Sequence, residues 1–119
     1  MFKRSIPKCT PEQQARQDKC RDRGCIACRI DGQEDAHEVS FLVAFSPTIH
    51  HLTKYGRTIS QDATVCLCRW HHLGDLAPGH TTTAMKIAFG PSLAKGSKTF
   101  HAHYGDNETL LRYQNELIA

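Results

Sequence analysis

The apolar positions of this chain change period several times along its length. From Glu38 to Phe45, the residues Val39, Phe41, Val43 and Phe45 recur at period two, which predicts a half-buried strand. Ser46-Pro47 ends it. A short strand carrying Ile49, His50, His51 and Leu52 comes next, followed by a polar loop with Lys54, Gly56 and Arg57. Thr64-Val65-Cys66-Leu67 reads as a second strand, and at Cys68 the pattern turns to a short helix ending near Gly74. Strand, loop, strand, helix is the order expected from Ile49 to about Leu73.

The first helix is marked by its ends rather than by an apolar stripe. Thr10 is placed to cap it, Pro11 to open it, Gln13 to close a capping box and Gly24 to stop it. Its interior is almost entirely polar, so it belongs on the surface or against a partner, and Cys9 and Cys20 beside it read as ordinary thiols. Downstream, Thr81 to Phe89 and Ser97 to Tyr104 suit short helices, with Gly90-Pro91-Ser92 and Gly105 as breaks. Asp106 or Asn107 can cap a last helix, in which Leu110, Leu111, Leu117 and Ile118 share one face.

With 119 residues, 39 % hydrophobic and 23 % charged, the chain suits one soluble domain with a modest core. No run approaches the ~18 apolar residues of a membrane span. The basic start Met1-Phe2-Lys3-Arg4 lacks the apolar stretch of a secretory signal, so a cytoplasmic place is expected. Charge is uneven. Through Arg29 there are eight Lys and Arg against three Asp and Glu, whereas the remainder has seven against nine. Such a basic segment fits either a polyanion partner, most simply nucleic acid, or a solvated helix.

Six Cys and eight His change the picture more. Cys25-Ile-Ala-Cys28 and Cys68-Arg-Trp-His71 are both four-residue clips of soft ligands, the donor set and spacing that zinc selects. Together Cys25, Cys28, Cys68 and His71 meet the four-ligand requirement of a structural site, with Cys66 or His80 as the alternative fourth ligand. Two His doublets accompany them. Neighbours on a helix diverge by ~100°, so His71 can face a zinc while His72 faces elsewhere. On a regular strand His50 and His51 point to opposite faces, so sharing one cleft requires the strand to end or bulge there.

In the run Cys25-Ile-Ala-Cys28, Ile49-His50-His51-Leu52 and Val65-Cys66-Leu67-Cys68-Arg69-Trp70-His71-His72, the chain resembles the HNH endonucleases of the ββα-metal fold. His50-His51-Leu52, Gly56-Arg57-Thr58-Ile59-Ser60, Leu67-Cys68 with His71-His72, and Phe100 with Tyr104-Gly105 make it similar to the phage recombination-enhancement nucleases, which are RecA-dependent DNA endonucleases. The resemblance implies an α+β, zinc-stapled ββα-metal domain with flanking helices. It divides the chain into a basic N-terminal segment with its helix (1–24) and a nuclease domain with C-terminal helices (25–119). It makes His51 the general base, and gives His50 and His72 one Mg²⁺ or Mn²⁺ beside the structural Zn²⁺. DNA and a RecA filament become the expected partners, with Lys54, Arg57 and Arg69 on phosphates, in a bacterial host cell and in a phage or prophage context. The family's loop-bracing Asn is missing, since Asn107 and Asn115 lie far downstream; Ser60, Gln61, Asp62 or Thr64 must fill that role, and Asp62 is the choice because its carboxylate can accept backbone N–H bonds.

Other chemistries are excluded by pattern. His37-Glu38 is not the H-x-E of zinc deaminases, and there is no H-E-x-x-H, P-loop or G-x-S-x-G. The alternatives to an endonuclease are a non-catalytic zinc module that binds nucleic acid and an accessory protein for a recombinase.

Overall fold

In the computed structural model, which describes residues 8–32, 43–54, 57–58 and 60–119, Thr10 starts the first helix, α1 (Pro11–Arg23), with a complete capping box. The Thr10 hydroxyl accepts the Gln13 N–H, and the Gln13 side chain accepts the Thr10 N–H. Gly24 closes the helix at a φ of 81° that suits glycine. This polar helix docks on the rest of its own chain through hydrogen bonds. Arg16 donates to the Thr64 carbonyl and hydroxyl and to Asn115 Oδ1, while Gln17 and Cys20 are buried.

The expected strand at 38–45 is not what forms over its described part. Val43–Phe45 is a single 3₁₀ turn, and residues 38–42 lie outside the described residues. The period-two reading takes three of its four positions from a run, Phe41 to Phe45, that is apolar throughout. Continuous apolar runs do not distinguish strand from helix by period. Consecutive residues Ala44 and Phe45 are both buried, and the Phe45 ring meets Phe89 edge-on at 4.8 Å.

The two later strands form as expected. β1 (Pro47–His51) pairs antiparallel with a partner at Thr64–Cys68, in a register that sets Pro47 opposite Cys68 and His51 opposite Thr64. Between them Thr53–Lys54 (β2) and Arg57–Thr58 (β3) make a small ribbon, so the Thr64–Cys68 strand is β4. β4 is buried along its whole length, β1 only partly. On β4 the Cys66 N–H is taken by Gln114 Oε1 of the last helix at 2.8 Å, a side chain completing what a further strand would supply.

Two very short helices follow the same local design. In α2 (Ile26–Ile30) and α3 (Arg69–Leu73) the N-cap residue is a cysteine, Cys25 or Cys68. Its sulfur accepts the N–H of the residue three places on, Cys28 or His71, at 3.4 and 3.5 Å. A metal clip and a helix start are thus the same turn of chain. Gly74 then stops α3 in the left-handed conformation, at φ 78°.

Three further helices, α4 (Thr82–Phe89), α5 (Ser97–Tyr104) and α6 (Asn107–Ile118), wrap the sheet and α3. Asp106 caps α6 by accepting the Thr109 N–H. The core gathers Ile26, Leu52, Leu67, Trp70, Met85, Phe100 and Leu110, all essentially without solvent contact. The Trp70 indole donates to Gly90 O, and the Ser92 hydroxyl donates to Trp70 O, which fastens α3 to the chain after α4. Among the described residues no helix is long and apolar enough to cross a membrane.

Candidate metal centre and histidine cleft

The two clips meet. The ligand atoms of Cys25, Cys28, Cys68 and His71 all lie within 4.8 Å of one another, and all four residues are buried. His71 Nδ1 sits 3.5, 3.6 and 3.1 Å from the sulfurs of Cys25, Cys28 and Cys68. Its other nitrogen, Nε2, is 2.7 Å from the Phe89 carbonyl, which can only accept, so Nε2 carries the proton and the Nδ1 lone pair faces the sulfurs. Three thiols and one imidazole are a donor set that fits zinc. A proton competes for that lone pair: burial opposes charge on His71, yet the Cys25 sulfur raises its pKa, while hydrogen bonds from Cys28 and Cys68 outweigh burial and pull Cys25 down. A buried thiolate with three such neighbours calls for a cation. Of the alternative ligands, Cys66 stands outside the cluster with a thiol pushed up by burial, and His80 is exposed, its Nδ1 3.1 Å from Pro78 O.

Helix α5 supplies an outer layer to this centre. The Tyr104 hydroxyl lies 3.0 Å from His71 Nε2 and donates to Asp31 Oδ2 at 2.6 Å, and Asp31 Oδ1 is 3.0 Å from His103 Nε2. Burial and the Asp31 carboxylate raise the Tyr104 pKa, so the phenol keeps its proton. Gly90, at φ 84°, passes so close that a Cβ there would collide with the Tyr104 hydroxyl. Gly90→Ala is therefore expected to cost at least ~2 kcal/mol, from backbone strain and overpacking together, and to loosen the metal. Thermal melts with zinc analysis check this; an unchanged Tm would contradict it.

A second cluster of histidines lies on the other side of α3. Along β1, Thr48 and His50 fall on one face by strand alternation, and both meet His72. The His50 and His72 rings are 4.9 Å apart, and Thr48 Oγ1 is 2.8 Å from His72 Nδ1. Because the Thr48 hydroxyl gives its proton to Leu67 O at 2.6 Å, it accepts from His72 Nδ1–H and leaves His72 Nε2 unprotonated. Burial lowers the His50 pKa to about 4, helped by His72, His101 and His51; burial and His51 also lower that of His72. Both rings are neutral near pH 7 and able to ligate. His51, the last residue of β1, places Nε2 2.8 Å from Gln61 Oε1.

A family model described as recombination enhancement, RecA-dependent nuclease matches residues 9–119. The chain belongs to this family. No curated relative and no solved structure matches it. The span shared with the RecA-dependent nucleases takes in α1, both clips and both His doublets, and the family name makes the chain a nuclease that works in relation to RecA on DNA.

Within this family member the remaining site residues fall in different places. Asp62 is exposed; its carboxylate accepts from Gln13 of α1 at 2.9 Å, and its N–H bonds Ser60 Oγ. Among the described residues it ties the inter-strand loop to α1 through this side-chain link. Downstream, Asn107 donates to Thr53 O, two residues past His51. Arg69 pairs with Asp75 at 2.5 Å. The side chains of Lys54 and Arg57 lie outside the described set. Sequence reasoning missed Thr48, Gln17 and the Tyr104–Asp31 pair, and weighed Gln61 only as a brace for the loop. Thr48 alone carried a signal, two residues from His50 at strand period.

Proposed function

We propose that the chain is a metal-dependent DNA endonuclease of HNH type, acting with a RecA filament in the cytoplasm of a bacterial host. The observation that carries this reading is the pairing of His50 and His72 across β1 and α3, with His51 at the strand end beside them. Neutral, inward-facing imidazoles on two separate elements have no packing task that an apolar side chain would not perform better. His50 and His72 would hold one divalent ion, Mg²⁺ or Mn²⁺, whose charge would offset that developing on the phosphate and the leaving oxygen. His51 takes the proton from the attacking water. Thr48 keeps the His72 lone pair on Nε2, and Asp62 holds the loop against α1. Lys54, Arg57 and Arg69 contact phosphates, Arg69 by exchanging Asp75 for the backbone.

The test is nicking of supercoiled plasmid by the zinc-loaded protein with Mg²⁺ or Mn²⁺, with and without RecA and nucleotide. Nicks that require the divalent ion are expected. Two neighbouring variants sharpen it. His71→Ala should lower zinc content and Tm; His72→Ala should keep both and lose cleavage, with partial recovery at high Mg²⁺ because a weakened site still fills by mass action. Equal zinc loss in both would leave a single metal site and overturn the reading.

A further inference from the structure

We infer that Gln61, itself oriented by Gln17, fixes the proton of His51 on Nε2 and leaves Nδ1 as the nitrogen able to take a proton; this rests on the reading of His51 as the general base. The inference follows from three hydrogen bonds taken in order. Gln17 Nε2 is 3.2 Å from the backbone carbonyl of Gln61, which only accepts, so the amide of Gln17 has one permitted orientation. The same Nε2 lies 3.0 Å from Gln61 Oε1 and must donate there too, which sets the amide of Gln61. The Gln61 oxygen therefore accepts from both sides, and His51 Nε2, 2.8 Å away, must be the donor. A backbone carbonyl thus determines a tautomer through two side chains.

The environment suits a positioning role. Gln17 is only 4 % exposed and sits on α1, the polar helix whose interior showed no apolar pattern. An acceptor on Nε2 orients the imidazole and keeps its bond while the ring gains a proton at Nδ1 in the reaction and releases it afterwards. Gln61 and Gln17 touch no reacting atom. The plainer account is that they only fasten the inter-strand loop to α1. That account predicts effects on stability and none on which ring nitrogen of His51 is protonated.

Long-range proton–nitrogen NMR of the histidine rings in the zinc-loaded, full-length protein separates the two accounts. Wild type should show His51 as the Nε2–H form. Gln61→Met, of similar shape but without the strong acceptor, should show a mixture of forms and cut ~10–100-fold more slowly at saturating DNA, with KM within about twofold. Gln61→Glu keeps the acceptor and should retain the Nε2–H form and most of the rate. An Nδ1–H form in wild type overturns the inference without any variant. So does a Gln61→Met protein with unchanged tautomer and rate, provided His51→Ala is inactive; if His51→Ala itself cuts normally, the base assignment falls first and this inference with it.

Discussion

Stripping the metal with a chelator should unfold this domain, and returning zinc should restore it. Cys25, Cys28, Cys68 and His71 are all buried at one point, joining chain segments more than 40 residues apart. Structural zinc supplies on the order of 10–16 kcal/mol in zinc-finger peptides, against a typical net stability of ~5–15 kcal/mol for a whole domain. Without it, three sulfurs and an imidazole would share a dry site with only protons to link them. The expected result is about one zinc per chain, loss of the circular dichroism signal on chelation and its recovery on reloading. A metal-free preparation that melts like the loaded one would remove zinc from the account of this fold.

His51→Ala is expected to reduce nicking ~10²–10⁴-fold, the usual contribution of a general base, while DNA affinity and zinc content stay nearly intact. The side chain ends β1, and its 2.8 Å bond goes to Gln61 on the loop rather than to the zinc ligands. The competing role, a core support, predicts lost folding instead, which circular dichroism on the same sample would show. A folded His51→Ala protein cutting at the wild-type rate would end the assignment.

What the sequence made legible was local chemistry. Capping residues marked α1 and α6 with little error because Thr10 and Asp106 each satisfy an orphan N–H three residues on, whereas α5 has no side-chain cap and was marked only by Gly105 at its end. The clips were readable because ligand spacing reflects one metal geometry. What stayed hidden depends on contacts distant in sequence. Gln61 stood among the candidates to brace the loop, but its partner Gln17 is 44 residues away and nothing around Gln17 marks it as part of the His51 site. Gln114, a polar residue between Leu110 and Leu117, is buried and serves the edge of β4. The run ending at Phe45 misled because three of the four alternating positions came from a stretch, Phe41 to Phe45, that is apolar without exception.

Helix α3 is five residues long, too short to persist in water by itself. Its shape depends on the Cys68 cap, the metal ligand His71 and the Gly74 stop, yet the next residue along, His72, belongs to the proposed cleft. On the proposed reading, the orientation of the cutting site would therefore be an outcome of metallation. A newly made chain has its histidines from the start, but they would converge only once zinc gathers Cys25 and Cys28 to Cys68 and His71. Metal supply would then set the moment at which the molecule becomes able to damage DNA, and a cell short of zinc would accumulate chains that are inert rather than half-active.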